Sequence, residues 1–319
     1  MLMIYKKIKR KIEYLSNSRH AYDYESERSG WKKNKRYVWG GASMGSMFDP
    51  YIVEECGCYR MYVSERKTDS IITVFSKTGL YWEQKEVSLN PGESGTWEEK
   101  VNRACVCKRG SIWYMWYTGQ NANSSKIGVA ISQDGIHFDK VHDNPVLIPQ
   151  YVYEGGAVMN PCVMWDDDMQ IFRMWYAAGD QFEPDVICYA TSQDGIVWEK
   201  YAQNPIFTKS ENKYDQCKVG GCHVVKNIDE TYLLFYIGYQ NIDTARICVA
   251  KSSDGISNWH RAEENPILSP QKNNWDSDAV YKPSVLYDDK AQIWRLWYNG
   301  RKKNCECIGY AEKREWEIK

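Results

Sequence analysis

WYMWYTG at 113–119 is followed thirteen residues later by SQDGIHF at 132–138, and this pair of signals recurs in the same order along the chain. The aromatic stretch reads YRMYVSE at 59–65, FRMWYAAG at 172–179, YLLFYIG at 232–238 and WRLWYNG at 294–300. The second signal reads SKTGLYW at 76–82, SQDGIVW at 192–198 and SSDGISNW at 252–259. Ser132, Ser192 and Ser252 are sixty residues apart, and Tyr117, Tyr176, Tyr236 and Tyr298 step by 59, 60 and 62. A period near sixty holds about four short strands, the content of one propeller blade with generous loops. The chain is therefore expected to be all-β, a five-bladed β-propeller with about sixty residues per blade.

The residues inside each unit agree with that period. Aromatic and apolar residues alternate up to the first signal, IGVAIS, ICYATS or ICVAKS forms the next strand, and Asp-Gly or Thr-Gly supplies the positive φ of a tight turn. Four near-copies of S-x-D-G argue for a scaffold turn, with the Trp or Phe after it packed between blades. Asn90-Pro91, Asn144-Pro145, Asn204-Pro205 and Asn265-Pro266 then punctuate the outer strand. These marks divide the chain into blades near 42–91, 92–149, 150–209, 210–270 and 271–319. The last blade lacks the S-x-D-G turn, so its outer strand is expected from the segment near Tyr37 and Val38, which removes open edges. Residues 1–30 read as a polar, partly helical arm and 31–319 as the propeller domain.

Twenty-four Tyr and fourteen Trp in 319 residues suit pleated, half-buried strands. A net charge of −1, with acids and bases interleaved, gives no bulk attraction for nucleic acid or an anionic membrane. The basic N-terminus has no apolar stretch and cleavage site of a secretory signal, and no run reaches transmembrane length, so a cytoplasmic protein is expected. Most of the eleven cysteines lie in apolar alternating runs and read as reduced core thiols. No zinc motif, phosphate-cradling Gly-rich loop, nucleophile elbow or calcium loop occurs, so neither metal nor cofactor is expected.

In a propeller the innermost strands meet around one axis. These read MFDPYIV at 47–53, VNRACV at 101–106, VMNPCVM at 158–164, VGGCHVV at 219–225 and VYKPSVL at 280–286. Aligned, they place Asp49, Arg103, Asn160, Gly221 and Lys282 at matching ring positions, with Tyr281 and His223 beside them. Packing alone would not place charge there, because burying an unpaired charge is costly. The loops after the aromatic strands return to the same mouth and bring Glu65, Arg66, Gln120, Asp180, Tyr239 and Arg301. An aromatic–acid pair precedes four inner strands: Trp97-Glu98, Tyr153-Glu154, Tyr214-Asp215 and Trp275-Asp276, with Asp278 nearby. Such a recurring pair suits a structural cap at each blade as well as it suits a site. Several carboxylates aimed at one mouth are also what sugar hydrolysis requires, since an acid protonates the leaving oxygen and a base activates water. His223 could hydrogen-bond within the core or ligate a cation.

On the repeat pattern, MFDP at 47–50 and the WY-x-G strands, the chain from about 40 to 319 resembles the five-bladed propeller clan of the arabinanase/β-xylosidase, β-fructosidase and mannoside-phosphorylase families. The resemblance implies a glycoside or oligosaccharide ligand and a general base at Asp49. Where arabinanase-like members carry a second Asp and a general-acid Glu, this chain has Asn160-Pro161 and Val219-Gly220-Gly221-Cys222-His223. The β-fructosidase Arg-Asp-Pro would fall on Arg103-Ala104-Cys105. Three functions follow as expectations. An inverting glycosidase would use Asp49 with an acid drawn from Glu154, Asp215, Asp276 or Asp278, its pKa raised by burial or a neighbouring carboxylate. A phosphorylase would hold phosphate on Arg66, Arg103, His223, Lys282 and Arg301. A non-catalytic module would bind carbohydrate through Glu65, Arg66, Arg103, Asn160, Asp180, His223, Tyr281, Lys282 and Arg301. The basic groups suit an anionic sugar at least as well as a neutral pentose.

Overall fold

Residues 29–314, with Trp316 and Ile318, are described by a computed structural model. All but Ser29 and Gly30 of the expected N-terminal arm lie outside the described residues. The innermost strands are Met47–Glu55, Lys100–Arg109, Ala157–Asp166, Lys218–Lys226 and Ala279–Asp288. Each pairs with the aromatic strand that follows it, and antiparallel pairing continues outward through a third strand to a fourth. The five inner strands pack side by side, the last against the first, and close a ring. The architecture is the all-β propeller that the repeat predicts.

The outer strand of the last blade comes from the other end of the chain. Lys32–Lys33 and Trp39–Gly40 both pair antiparallel with Cys305–Arg314. The expected closure thus uses two short pieces flanking Tyr37, because the segment between them leaves the ladder.

The S-x-D-G turns join neighbouring blades. Ser132 Oγ accepts the N–H groups of Asp134 and Gly135, and Asp134 Oδ1 accepts those of Ile136 and His137. That arrangement satisfies the turn and leaves the Gly135 carbonyl for the preceding blade, where the Tyr62 hydroxyl donates to it at 2.6 Å. Trp116, Trp175 and Trp297 donate in the same way to Gly195, Gly255 and Gly79 at 2.8, 2.7 and 2.8 Å. Glycine is required twice over at these turns: φ is +69 to +79°, and a Cβ on Gly195 would come within 2.8 Å of the Trp116 ring. Phe235 occupies the corresponding place in blade four, facing the one blade without such a turn. With no carbonyl waiting, a ring without a donor suffices, and Phe235 packs against Trp316 and Trp294.

The recurring acids serve the blades. Glu98 receives the Tyr117 hydroxyl at 2.6 Å and Lys140 at 2.9 Å, and Glu154 receives Tyr176 at 3.1 Å and Lys200 at 2.7 Å. Asp215 holds Tyr236 at 3.0 Å and Arg261 at 2.6 Å, and Asp276 holds Tyr298 at 3.1 Å and Lys33 at 2.6 Å. Each carboxylate ties the segment before an inner strand to the second and fourth strands of its own blade. Blade one has Val63 where the others have the tyrosine, and no acid precedes its inner strand.

Tyr62→Phe removes only the hydroxyl and strands the buried Gly135 carbonyl. It should cost about 1–3 kcal/mol of stability, the penalty for an unsatisfied buried acceptor. Urea unfolding measures this, and an unchanged midpoint would show that the inter-blade bond adds nothing.

Candidate active site

Every inner strand carries a β-bulge at the same depth, seen as register shifts at Phe48/Tyr51, Asn102/Cys105, Met159/Cys162, Gly220/His223 and Tyr281/Ser284. At those bulges Asp49, Arg103, Asn160, Gly221 and Lys282 have φ of 54, 57, 53, 46 and 35°. The five positions aligned from sequence therefore share one left-handed backbone conformation. A bulge takes a residue out of the ladder and re-aims its side chain. For the four that are not glycine this conformation costs of order 1–3 kcal/mol each and persists only where neighbours enforce it. Two enforcers are visible: the Arg103 N–H donates to Ser64 Oγ at 2.9 Å and the Asn160 N–H to Thr118 Oγ1 at 3.0 Å, each from the preceding blade.

Two residues further along, Cys105, Cys162, His223 and Ser284 accept the backbone N–H of Val163, Val224, Val285 and Ile52 in the next blade. His223 accepts through Nδ1 at 2.7 Å, which requires a neutral ring. Burial, then the nearby Lys282 charge, lowers its pKa to about 3. His223 is therefore a core bond of the floor rather than a ligand-binding group. Lys282 is 2% exposed and donates to the Cys222 carbonyl at 2.8 Å, beneath the cavity rather than on its wall.

Above this floor lies a cavity of about 440 Å³ lined, among the residues expected from sequence, by Asp49, Arg66, Arg103, Gln120, Asn160, Tyr239, Tyr281 and Arg301. The other candidates are placed elsewhere. Glu154, Asp215 and Asp276 are buried inside their blades, neutralised as described. Asp278 takes the Lys303 N–H at 2.6 Å and ties a turn. Glu65 is drawn back into blade one by Thr68 and Lys85, and Asp180 caps the Phe182 N–H at 3.1 Å. Four cavity carboxylates, Asp69, Glu99, Glu183 and Glu306, were not anticipated from the sequence. Glu183 and Glu306 lie at the start of third strands, just before Pro184 and just after Cys305, at the same end of the sheet as the loops after the aromatic strands.

The charges on the wall are interlocked. Arg103 Nε lies 3.1 Å from Asp49 Oδ2. Arg66 bonds Glu306 through Nε at 3.1 Å and lies over the Phe48 ring, while Asn299 Nδ2 donates to Glu306 at 3.3 Å. Burial raises the Asp49 pKa, an effect opposed by Arg103, Lys282 and Arg66 and reinforced by Glu306. Three buried side-chain atoms of wall residues have no hydrogen-bond partner among the described residues: Asn160 Oδ1, Asn299 Oδ1 and Arg301 Nε. The lining also carries the amides Asn102, Gln120 and Asn121, which donate and accept as hydroxyls do, so the wall suits a polyhydroxyl ligand.

A β-propeller with polar groups converging on an axial cavity defines the class, and comparison with known proteins gives the relatives. The N-terminal domain of glycosyl hydrolases family 32 matches residues 72–214. An uncharacterized protein of Mycobacterium tuberculosis is 28% identical over 66% of this chain and 71% of its own length. A 1,2-beta-oligomannan phosphorylase of Thermoanaerobacter is 29% identical over 60% of this chain and 62% of its own. Among solved structures, a glycoside hydrolase superposes with a TM-score of 0.71 at 19% identity, covering 90% of this chain and 94% of that one. The chain has the propeller fold shared by these glycosidases and mannoside phosphorylases.

The raised pKa of Asp49 carries a stability signature. The folded protein binds that proton more tightly than the unfolded chain, so stability is full below the ordinary value of 3.8 and falls as pH rises through the folded value. Asp49→Asn should match the parent in acid and become the more stable protein toward neutrality. Urea unfolding across pH measures the gap, and a pH-independent gap contradicts the raised pKa.

Proposed function

We propose that the axial cavity cleaves a glycosidic bond, with Asp49 as its proton donor. The observation that carries this is the placement of Asp49: a carboxyl held in a strained bulge, buried, with its pKa raised, on the wall of a cavity lined by amide, guanidinium and phenol side chains that suit hydroxyl groups. The resemblance implied a general base at this residue. A carboxyl that holds its proton to higher pH is better matched to giving one to a departing oxygen. Fold and relatives support the glycoside as ligand, and Arg66, Lys100, Arg103 and Arg301 on the wall accommodate one with an acidic group.

Hydrolysis and phosphorolysis share this donor and differ in the attacking group. The four cations and the phosphorylase relatives are the specific support for phosphate as the nucleophile. A panel of aryl glycosides and mannosides, with uronides included, each with and without inorganic phosphate, separates the two. Asp49→Asn should lower turnover about 10²–10⁴-fold while leaving ligand affinity nearly intact. A parent protein that binds glycans but turns none over, in either arm, would make the cavity a binding module and end the catalytic reading.

A further inference from the structure

Acid–base cleavage by water needs a second carboxylate, and the inner strands bring none besides Asp49 to the cavity. Besides Asp49, four carboxylates line the cavity: Asp69, Glu99, Glu183 and Glu306. Glu306 is locked by Arg66 and Asn299 as their counter-ion. Asp69 faces Lys100 at 3.3 Å, and Glu99 takes the Gly95 N–H at 3.1 Å to cap its own loop. Glu183 differs in how it is delivered. Its loop, between the second and third strands of blade three, leans over the cavity and puts Phe182, Glu183 and Pro184 on the wall.

That loop is fixed from both sides. Asp180 caps Phe182 at 3.1 Å, and Asp185 takes the Asp180 N–H at 3.0 Å. Gln181 donates to the Asn121 and Ser124 carbonyls of blade two, while Lys218 of blade four donates to the Glu183 carbonyl at 2.8 Å and pairs with Asp185 at 3.0 Å. Pro184 packs where a side chain on Gly220 would stand, so Gly220 clears the space into which the loop reaches. The Glu183 carboxylate is hydrogen-bonded by the Tyr239 hydroxyl, and Tyr281 and Arg301 are its charged and aromatic neighbours. Rigid delivery by backbone anchors, with a phenol orienting the carboxylate, is how a group is held ready to react.

We propose that Glu183 is the second catalytic carboxylate, the base that takes a proton from the attacking water. The assignment rests on the glycoside-cleaving reading of the cavity. In the step, Asp49 gives its proton to the glycosidic oxygen as the bond from the anomeric carbon to that oxygen breaks. Water oxygen bonds to the anomeric carbon and its proton passes to Glu183. The products are the sugar hemiacetal and the freed alcohol; Asp49 is left ionised and Glu183 protonated until solvent resets both.

The test uses the full chain and the best glycoside from the panel. Glu183→Gln should lose about 10²–10⁴-fold in kcat with little change in KM and lose the acidic limb of its pH profile. Glu183→Ala should regain turnover with added formate or azide, and azide should be recovered as the glycosyl azide; a purely structural residue is not rescued this way. Tyr239→Phe removes the donor to the carboxylate and should move the acidic limb to higher pH. Thermal unfolding checks each variant, and Glu183→Asp, which keeps the charge but withdraws it, gives the same kcat loss should the Gln variant not fold. Retention of hydrolysis within tenfold in Glu183→Gln while Asp49→Asn is inactive overturns this assignment and leaves the cavity reading standing. Full phosphate-dependent turnover in Glu183→Gln also overturns it, since phosphate attacks without a base. A parent inactive on every glycoside removes both.

Discussion

The bulge in each inner strand is the constraint on which the rest of this protein depends. In a regular ladder a residue spends both backbone groups on its neighbours and alternates its side chain across the sheet. At Asp49, Arg103, Asn160, Gly221 and Lys282 the ladder lets go, φ turns positive, and side chain and N–H are both released. The freed N–H groups of Arg103 and Asn160 bond to hydroxyls of the preceding blade. Just below, side-chain atoms of one inner strand accept from the backbone of the next. Closing the ring and building the cavity are thus performed by the same few residues. The strain at four non-glycine positions is tolerable because the bonds it makes available hold neighbouring blades together.

Repetition separates scaffold from site on physical grounds. A need shared by several blades, such as anchoring the segment before the inner strand in blades two to five, produces a group repeated in each of them. Glu98, Glu154, Asp215 and Asp276 are of this kind, each met by a tyrosine and a cation from its own sheet. A sugar has no five-fold symmetry, so groups that recognise it must differ from blade to blade. The ring satisfies that condition with an acid, an arginine, an amide, a glycine and a lysine. Phe235 follows the same logic from the other side: the repeated donor disappears at the one junction with no acceptor to meet it.

What could be read from sequence tracks this distinction. Blade order and the inner register were legible because a turn of fixed chemistry, S-x-D-G, recurs at a fixed distance from an alternating aromatic strand. Once the register was set, the ring residues followed from counting. The destination of an acid beside a strand was not legible, because Tyr153-Glu154 in one dimension carries no direction; in space Lys200 and Tyr176 turn it inward. Glu183 was hidden for a different reason. It lies in an irregular loop whose course depends on contacts with blades two and four, and only Pro184 seated against Gly220 reveals where that loop goes.

The floor explains how so much charge can converge above it. Directly below the ring lies a layer of Tyr51, Cys105, Cys162, His223 and Ser284, which closes the axis with bonds that carry no net charge once His223 is neutral. Lys282 is the exception, and its position under Asp49 opposes the effect of burial on that carboxyl. Were the floor fully apolar, the bulges would lose their inter-blade acceptors; were it charged throughout, Arg66, Arg103 and Arg301 could not share the wall without large mutual repulsion. A neutral hydrogen-bonded floor with one buried cation meets both demands. It also holds Asn160, Asn299 and Arg301 on the wall although one buried polar atom of each lacks a partner among the described residues, a cost the surrounding structure must offset.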